Sequence, residues 1–499
     1  MRILLCLPYA SLLFTCAALP APASTCESLA ALRLPNTSVT LAQPVEAGAF
    51  VPPAGAPAPF KTLPAFCRVT ATLRPSPDSD IKIEVWLPLP GTWNRKFQAV
   101  GNGGYAGTIS YPAMAKALAQ GYATASTDTG HATPGGSFAA GHPEKLIDFG
   151  YRAVHELTVQ SKGVIKAFYE SDPARSYWNG CSTGGRQSLM EAQRFPDDYD
   201  GIIAGAPANY MSHLQPWSLW IPMAVHATEE SYVPPAKYAV IHKAVLEACD
   251  TLDGVKDGVI ENPMACHFDP KTIQCTGVAN DACLTPPQVE AVRKLYAPAT
   301  NPRTGTPFFP GLEPGSEAGW AGLAGPQPMA IPVDTFKYIV YDNPAWDWRT
   351  IDFDRDVAAA EKKFAGVVDA VNPDLSRFME HGGKLIMYHG WNDQLIAPRN
   401  SISYFNNVQY TLGAAKTEES VRLYMVPGMG HCNGGDGTST FDILAELDNW
   451  VTKQQAPGSV VASRTNPART RPLCPFPQVA VFKGTGSTDE AANFTCRVP

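Results

Sequence analysis

Ser176-Tyr177-Trp178-Asn179-Gly180-Cys181-Ser182-Thr183-Gly184-Gly185 is the stretch on which the reading of this chain turns. A short apolar strand runs into a G-x-S-x-G pentapeptide at 180–184, and a helical stretch, 187–194, follows. A serine on a sharp strand-to-helix turn needs glycine on both sides, because a Cβ there would clash with the turn. The pentapeptide alone is weak, since an ordinary Gly-Ser turn has the same letters. The strand before it and the helix after it favour a nucleophile.

Outward from this point, strands and helices alternate. Strands are expected at 81–87, 96–100, 122–126 and 201–205, and a helix at 154–169. The alternation is lost from about 208 to 377, where Pro, Trp and loops dominate, and resumes with strands at 383–388 and 421–426. Strand–helix alternation predicts a parallel sheet covered on both faces. The expected fold class is α/β: an α/β-hydrolase fold with a mostly parallel central sheet and a large inserted lid domain. The core is expected over 24–207 and 378–499, with the lid insertion over 208–377.

A serine hydroxyl needs a base, and the base needs a carboxylate to hold its tautomer. In this fold they follow in the order Ser, acid, His. His431 follows a strand within Pro427-Gly428-Met429-Gly430-His431-Cys432, and Asp393 follows another within Tyr388-His389-Gly390-Trp391-Asn392-Asp393. Ser182, Asp393 and His431 are therefore the candidate catalytic residues. His389 competes as base, and Asp128, which also ends a strand, competes as acid. If Ser182 and His431 meet, their neighbours Cys181 and Cys432 come within disulfide reach. That bond would close a loop of about 250 residues, worth on the order of 5 kcal/mol in the chain-entropy model. Two unrelated cysteines with other partners are the plainer alternative. Oxyanion donors are expected from the backbone of Thr183 and from the Gly101-Asn102-Gly103-Gly104-Tyr105 loop, at Gly103 or Gly104.

Residues 1–23 read as an export signal: Arg2, an apolar run, then Ala21-Pro22-Ala23 as a cleavage site. Cys16 as a lipid attachment site is the lesser alternative, because Thr15 precedes it poorly. Ten of the 12 cysteines lie beyond the signal, an even number without a C-x-x-C pair. That favours disulfides in an oxidising compartment over metal ligation, and a secreted or periplasmic protein. The net charge of −7 comes with no basic block, so nucleic acid is not an expected partner. No later segment is long and apolar enough to span a membrane, so no membrane partner is expected either. The glycine loop at 101–107 lacks G-x-G-x-x-G, because Ala106 is sixth, so a dinucleotide reading fails and no organic cofactor is expected.

These residues resemble the tannase and feruloyl esterase family, which also includes mono(2-hydroxyethyl) terephthalate hydrolase. The likeness rests on the Cys-Ser and His-Cys pairs, Gly-Asn-Gly-Gly at 101–104, Thr-Asp-Thr-Gly-His at 127–131 and Gly-Leu-Glu-Pro-Gly-Ser-Glu at 311–317. It spans nearly the whole mature chain. The resemblance implies the same triad, a lid that shapes the substrate pocket, and a structural Ca²⁺ in the lid. Its ligands would be the side chains of Asp250, Asp253 and Asp257 and the carbonyls of Val255 and Val259. Hard oxygen donors interleaved with glycines suit that ion; a solvated acidic loop is the plainer reading. The remaining disulfides implied by the likeness are Cys26–Cys67, Cys249–Cys266, Cys275–Cys283 and Cys474–Cys496.

The expected partner is a small-molecule aromatic ester, with a feruloyl-type hydroxycinnamate first, a galloyl ester next and a terephthalate monoester third. The last needs a lid cation; Arg349 and Lys337 read better as surface charges, and Ile396 is too small for an aromatic clamp. Trp217, Trp220, Trp320, Trp346 and Trp348 are mostly lid core, with one or two at most expected to face substrate. A non-catalytic binding module of the same fold is the rival from a different class.

Overall fold

The structure is a computed structural model that describes residues 25–53, 60–105 and 107–499. The expected export signal at 1–23 lies outside the described residues.

Nine strands form one sheet: β1 (Thr37–Val45), β2 (Phe66–Leu73), β3 (Ile81–Pro88), β4 (Lys96–Val100), β5 (Ala123–Thr127), β6 (Arg175–Cys181), β7 (Gly201–Gly205), β8 (Lys384–Gly390) and β9 (Val421–Val426). Their order is β1-β2-β3-β5-β4-β6-β7-β8-β9. The run from β5 to β9 is parallel, and β1, β2, β3 and β5 pair antiparallel at the other side. This is the mostly parallel sheet of an α/β-hydrolase. The crossover between β4 and β5 places β4 beside β6, so the loop after β4 lies next to the turn after β6.

The central strands read as near-continuous apolar runs because both faces are covered. Trp178, Ile202 and Met387 pack on one face with helices Ala153–Tyr169, Thr183–Arg194 and Arg399–Leu412. Their sequence neighbours Tyr177, Ile203 and Ile386 pack on the other with helix Ile443–Lys453. A period of two thus divides one strand between two cores. Each such side chain, buried from water, contributes roughly 1.5–3 kcal/mol.

Between β7 and β8, residues 206–383 add no strand to this sheet. They build a separate apolar core around Trp217, Leu295, Trp320 and Phe336, all fully buried. The bridges Cys249–Cys266 and Cys275–Cys283 lie within this segment, and Cys26–Cys67 and Cys474–Cys496 tie down the two ends of the described chain. All four pairings are those implied by the resemblance.

Candidate active site

Ser182 stands between β6 and the helix Thr183–Arg194, with φ 64° and ψ −124°. A non-glycine residue in that region is strained and is held only by its surroundings. Here its N–H donates to Gly205 O at 3.0 Å, and its carbonyl accepts from the N–H groups of Arg186 and Ala208. The tightness of the turn explains its glycines. A Cβ on Gly180 would run into the Gly184 carbonyl, and one on Gly101 would lie 2.6 Å from Gly184 Cα.

The loop after β4 is bound to that helix. The Asn102 carbonyl accepts from Gly184 N–H at 2.8 Å, the Gln187 amide donates to Asn102 Oδ1 at 3.1 Å, and the Thr183 hydroxyl donates to Gly104 O at 3.0 Å. Asn102 Nδ2 donates to the carbonyls of Thr108 and Thr127, both at 2.7 Å. Gly103, Gly104, Ser182 and Thr183 consequently line one cavity.

Asp393 is fully buried in the loop after β8. Its Oδ1 accepts N–H groups of Leu395 at 2.8 Å and Ile396 at 3.0 Å; its Oδ2 lies 2.7 Å from His431 Nδ1. Burial pushes this carboxyl up, but the charge and hydrogen bonds of His431 and His389 outweigh it and hold it well below the ordinary range. For His431, burial works against the proton, and Asp393 more than restores it, so its value is raised. With Nδ1 on the carboxylate, Nε2 is the ring nitrogen left for Ser182. His431 lines the same cavity as Ser182. Cys181 and Cys432 are bonded, as the proximity argument expects.

The competing assignments fare differently. His389 is fully buried; its Nε2 lies 3.1 Å from both Asp393 Oδ2 and Ile396 O, and its Nδ1 lies 2.7 Å from the Ser401 hydroxyl. It is a second partner of the acid and does not line the cavity. Asp128 Oδ1 accepts N–H groups of Lys82 on β3 and of Gly130 in its own turn, and burial pushes it up to about 7.

The cavity, about 460 Å³, is walled largely by residues that the sequence did not single out. Helix Met211–Val225 presents Met211, Leu214, Gln215 and Ser218 to it, spaced i, i+3, i+4 and i+7 along one face. Met329, Ile331, Leu395 and Ile396 complete the apolar wall. None of the five tryptophans lines it: Trp217 and Trp320 are fully buried in the core of the insertion. Trp346 also belongs to that core, and Trp220 and Trp348 pack against it, in keeping with the expectation that these side chains are mostly core with one or two at most facing substrate. Arg349 and Lys337 are also absent from the lining, as is every other Arg or Lys among the described residues. Arg349 pairs with Asp347 and lies over the Trp348 ring.

In the acidic loop at 250–259, the Asp250 carboxylate accepts N–H groups of Asp257 and Gly258. Asp253 accepts from Val255 and Asp257 from Val259. Arg469 and Arg471 pair with Asp257 Oδ2. Among the described residues no three His, Cys, Asp or Glu side chains gather as a metal-holding cluster. The donors are nonetheless all oxygen, the kind that suits a hard cation; Asp253, Asp257 and Val259 border one small cavity, which Glu261, Arg469 and Arg471 also line.

A family model described as tannase and feruloyl esterase matches residues 67–497. An uncharacterized esterase of Xanthomonas campestris is 39% identical over 95% of this chain and 91% of its own. A probable feruloyl esterase B-2 of Aspergillus terreus is 36% identical over 94% of each chain. Feruloyl esterase B from Aspergillus oryzae superposes with a TM-score of 0.88 at 32% identity, covering 95% of this chain and 99% of that one. With a matching fold, and a match that takes in the whole strand-end site, this chain belongs to the tannase and feruloyl esterase family and is a carboxylic ester hydrolase.

Proposed function

We propose that the protein is an exported serine esterase that cleaves esters of hydroxycinnamic acids through an acyl-enzyme. The observation that carries this is the placement of Ser182 and His431 on one apolar cavity of about 460 Å³, with Asp393 2.7 Å behind the imidazole. That volume lies in the range of small-ligand pockets. An elongated aromatic acyl group packs against Met211, Leu214, Ile331 and Leu395.

His431 Nε2 takes the proton of Ser182 as Oγ attacks the ester carbonyl. Backbone N–H groups of Thr183 and of Gly103 or Gly104 hold the developing oxyanion. The tetrahedral intermediate collapses, and the leaving alkoxide takes the proton back from His431. Water then repeats the sequence: it gives a proton to His431 and attacks the acyl carbon, and Ser182 leaves with that proton. Asp393 stays ionised throughout and stabilises the imidazolium.

A galloyl group brings three phenolic hydroxyls, whereas the acyl wall offers few side-chain hydrogen-bonding groups beyond Gln215 and Ser218. A terephthalate monoester brings a carboxylate, and no Arg or Lys among the described residues lines the cavity. Both rank below the hydroxycinnamates. A rate panel on methyl ferulate, methyl gallate and a terephthalate monoester tests this order; methyl gallate or the monoester leading would overturn it. Ser182→Ala is expected to abolish hydrolysis, and retained turnover would rule out the nucleophile. Absence of turnover by the intact chain on every ester would favour a binding module.

The loop at 250–259 is proposed to hold Ca²⁺ as a structural ion, through the side chains of Asp250, Asp253 and Asp257 and the carbonyls of Val255 and Val259. No catalytic step passes through it. Chelation is expected to lower the melting temperature, and added Ca²⁺ to restore it; Asp253→Asn should lose that response. A melting curve indifferent to both additions would rule the ion out. Five disulfides support export, since they persist in oxidising compartments. No helix among the described residues is long and apolar enough to cross a membrane.

A further inference from the structure

Gly311-Leu312-Glu313-Pro314-Gly315-Ser316-Glu317 belongs to the insertion, yet it lies against the loop at 391–398 that carries Asp393. One side of this stretch is rooted in the core of the insertion. Leu312 N–H donates to Leu295 O on helix Pro286–Tyr296 at 2.9 Å, and the fully buried Trp320 indole donates to Ser316 Oγ at 2.9 Å. Glu317, also fully buried, braces the turn from within: it accepts from Gly315 N–H at 2.8 Å and from the Tyr296 hydroxyl at 2.7 Å. The other side follows the acid loop closely. A Cβ on Gly315 would lie 3.0 Å from Asn392 Oδ1, and one on Gly319 would lie 2.6 Å from Gln394 Cγ. Glu313, 1% exposed, reaches the end of that loop, where its Oε1 accepts from Nε of Arg399, the first residue of helix Arg399–Leu412.

We propose that Glu313 is a positioning residue for ester hydrolysis: through Arg399 it fixes the far end of the acid loop, and with it the aim of Asp393 at His431. The inference rests on the esterase reading above and adds a residue that acts from the insertion without touching substrate. The near end of the acid loop continues β8, whose register against β7 and β9 is set by the sheet. The far end has no strand to hold it. It is tied down by the Arg399–Glu313 pair and by Asn400, which donates to Asn209 Oδ1 at 2.7 Å. Asp393 is bound to this far half, because its Oδ1 accepts the N–H groups of Leu395 and Ile396. A displaced end therefore turns the carboxylate whose Oδ2 lies 2.7 Å from His431 Nδ1. A buried ion pair adds little net stability over an apolar pair of the same volume, so the role of this one is geometric.

The test measures kcat and KM on methyl ferulate with the full chain, well below its melting temperature. Glu313→Gln and Arg399→Met each break the pair, and the double variant removes both charges, so that no buried charge is left alone. All three are expected to lower kcat by a similar factor, about tenfold or more, with KM within about twofold. Arg399→Lys keeps a cation for Glu313 and should recover most of kcat. Asp354→Asn, which opens the Arg303–Asp354 pair elsewhere in the insertion, is the control and should leave kcat unchanged. Should Glu313→Gln fail to fold, Arg399→Met at its partly exposed site and the double variant carry the test. A double variant that regains wild-type kcat would mean that only an unpaired charge had been harmful. That result, a change confined to KM, or a lowered melting temperature with kcat intact would overturn the inference and leave the esterase reading standing. Wild type inactive on every ester is the separate result that removes that reading, and this inference with it.

Discussion

Cys181 and Cys432 are bonded across a separation of 251 residues, and each is the immediate chain neighbour of a group proposed to react, Ser182 on one side and His431 on the other. Ser182 and Cys432 both hold positive φ, 64° and 63°, so two strained turns are tied back to back. The bridge restricts the denatured chain by closing a long loop and, in the native site, ties the proposed base to the proposed nucleophile.

Removing it as Cys181→Ser with Cys432→Ser is therefore expected to cost about 5 kcal/mol on the chain-entropy model and to lower kcat more than it raises KM. The Cys474–Cys496 pair, 22 residues apart, is the control. Its removal should cost about 3 kcal/mol and leave kcat unchanged. Denaturant unfolding and steady-state rates on the same samples check both. Equal kinetic effects from the two pairs would count against a positioning role for the first.

The pairing of Asp393 with His431 sets a pH signature. As the proposed base, His431 can act only when neutral, and its value is raised above 6.5 because Asp393 favours the proton more than burial opposes it. The acid limb of kcat/KM is expected above pH 6.5. In Asp393→Asn the charge is gone and burial alone remains, so the limb should move below 6.5. The rate should fall by about 10⁴, the loss seen for the matching change in the general serine-protease template. For stability the signs are opposite. The depressed Asp393 contributes above pH 3.8 and is lost as pH falls through its folded value. The raised His431 contributes below 6.5 and is lost as pH rises through its own. A pH–rate profile with the same acid limb in both proteins would contradict the assignment of His431 as base.

Asn102 holds the loop proposed to supply oxyanion donors. Its side chain donates to Thr108 O and Thr127 O and accepts from Gln187. Asn102→Ala leaves those two carbonyls without this donor, so a stability loss of about 2–3 kcal/mol is expected. The neighbouring N–H groups of Gly103 and Gly104 lose their aim, so kcat should fall about tenfold or more with KM nearly unchanged. Stability lost with kcat intact would reduce Asn102 to a structural role.

What could be read from the chain follows from where its physics is local. The strands β6, β7, β8 and β9 were legible because burial on both faces makes each a compact apolar run. Ser182 was legible because its turn admits only glycine at 180. The pairing of Cys181 with Cys432 followed from adjacency to residues that must meet. β1 and β2 were missed even though Cys67-Arg68-Val69-Thr70-Ala71-Thr72 alternates apolar and polar residues, with Cys67, Val69 and Ala71 turned to the core; the run is short, and pairing with β1 and β3 is what stabilises it. His389 was weighed as a base because chain order does not reveal which way an imidazole faces; only the fold turns its Nε2 toward Asp393. The cavity wall was missed for a similar reason. Aromatic content drew attention to Trp217, while the helical spacing of Met211, Leu214, Gln215 and Ser218 held the signal that marks the face turned to the cavity.

Gln215 is the polar member of that face on which selectivity for the acyl ring is expected to depend. It is 4% exposed, its Nε2 donates only to Met211 Sδ at 3.3 Å, and its Oε1 accepts nothing. A phenolic hydroxyl on the acyl ring is a donor that would complete this oxygen, and a ring ether is not. Wild type is therefore expected to prefer methyl ferulate over methyl 3,4-dimethoxycinnamate by about tenfold in kcat/KM, one hydrogen bond's worth of discrimination. Gln215→Leu keeps the bulk, removes the acceptor and should level the two rates, chiefly by slowing the phenol. Gln215→Glu keeps an acceptor and should retain the preference. If Gln215→Leu discriminates as well as wild type, the ring hydroxyl is recognised elsewhere and Gln215 is simply an unpaired amide in the wall.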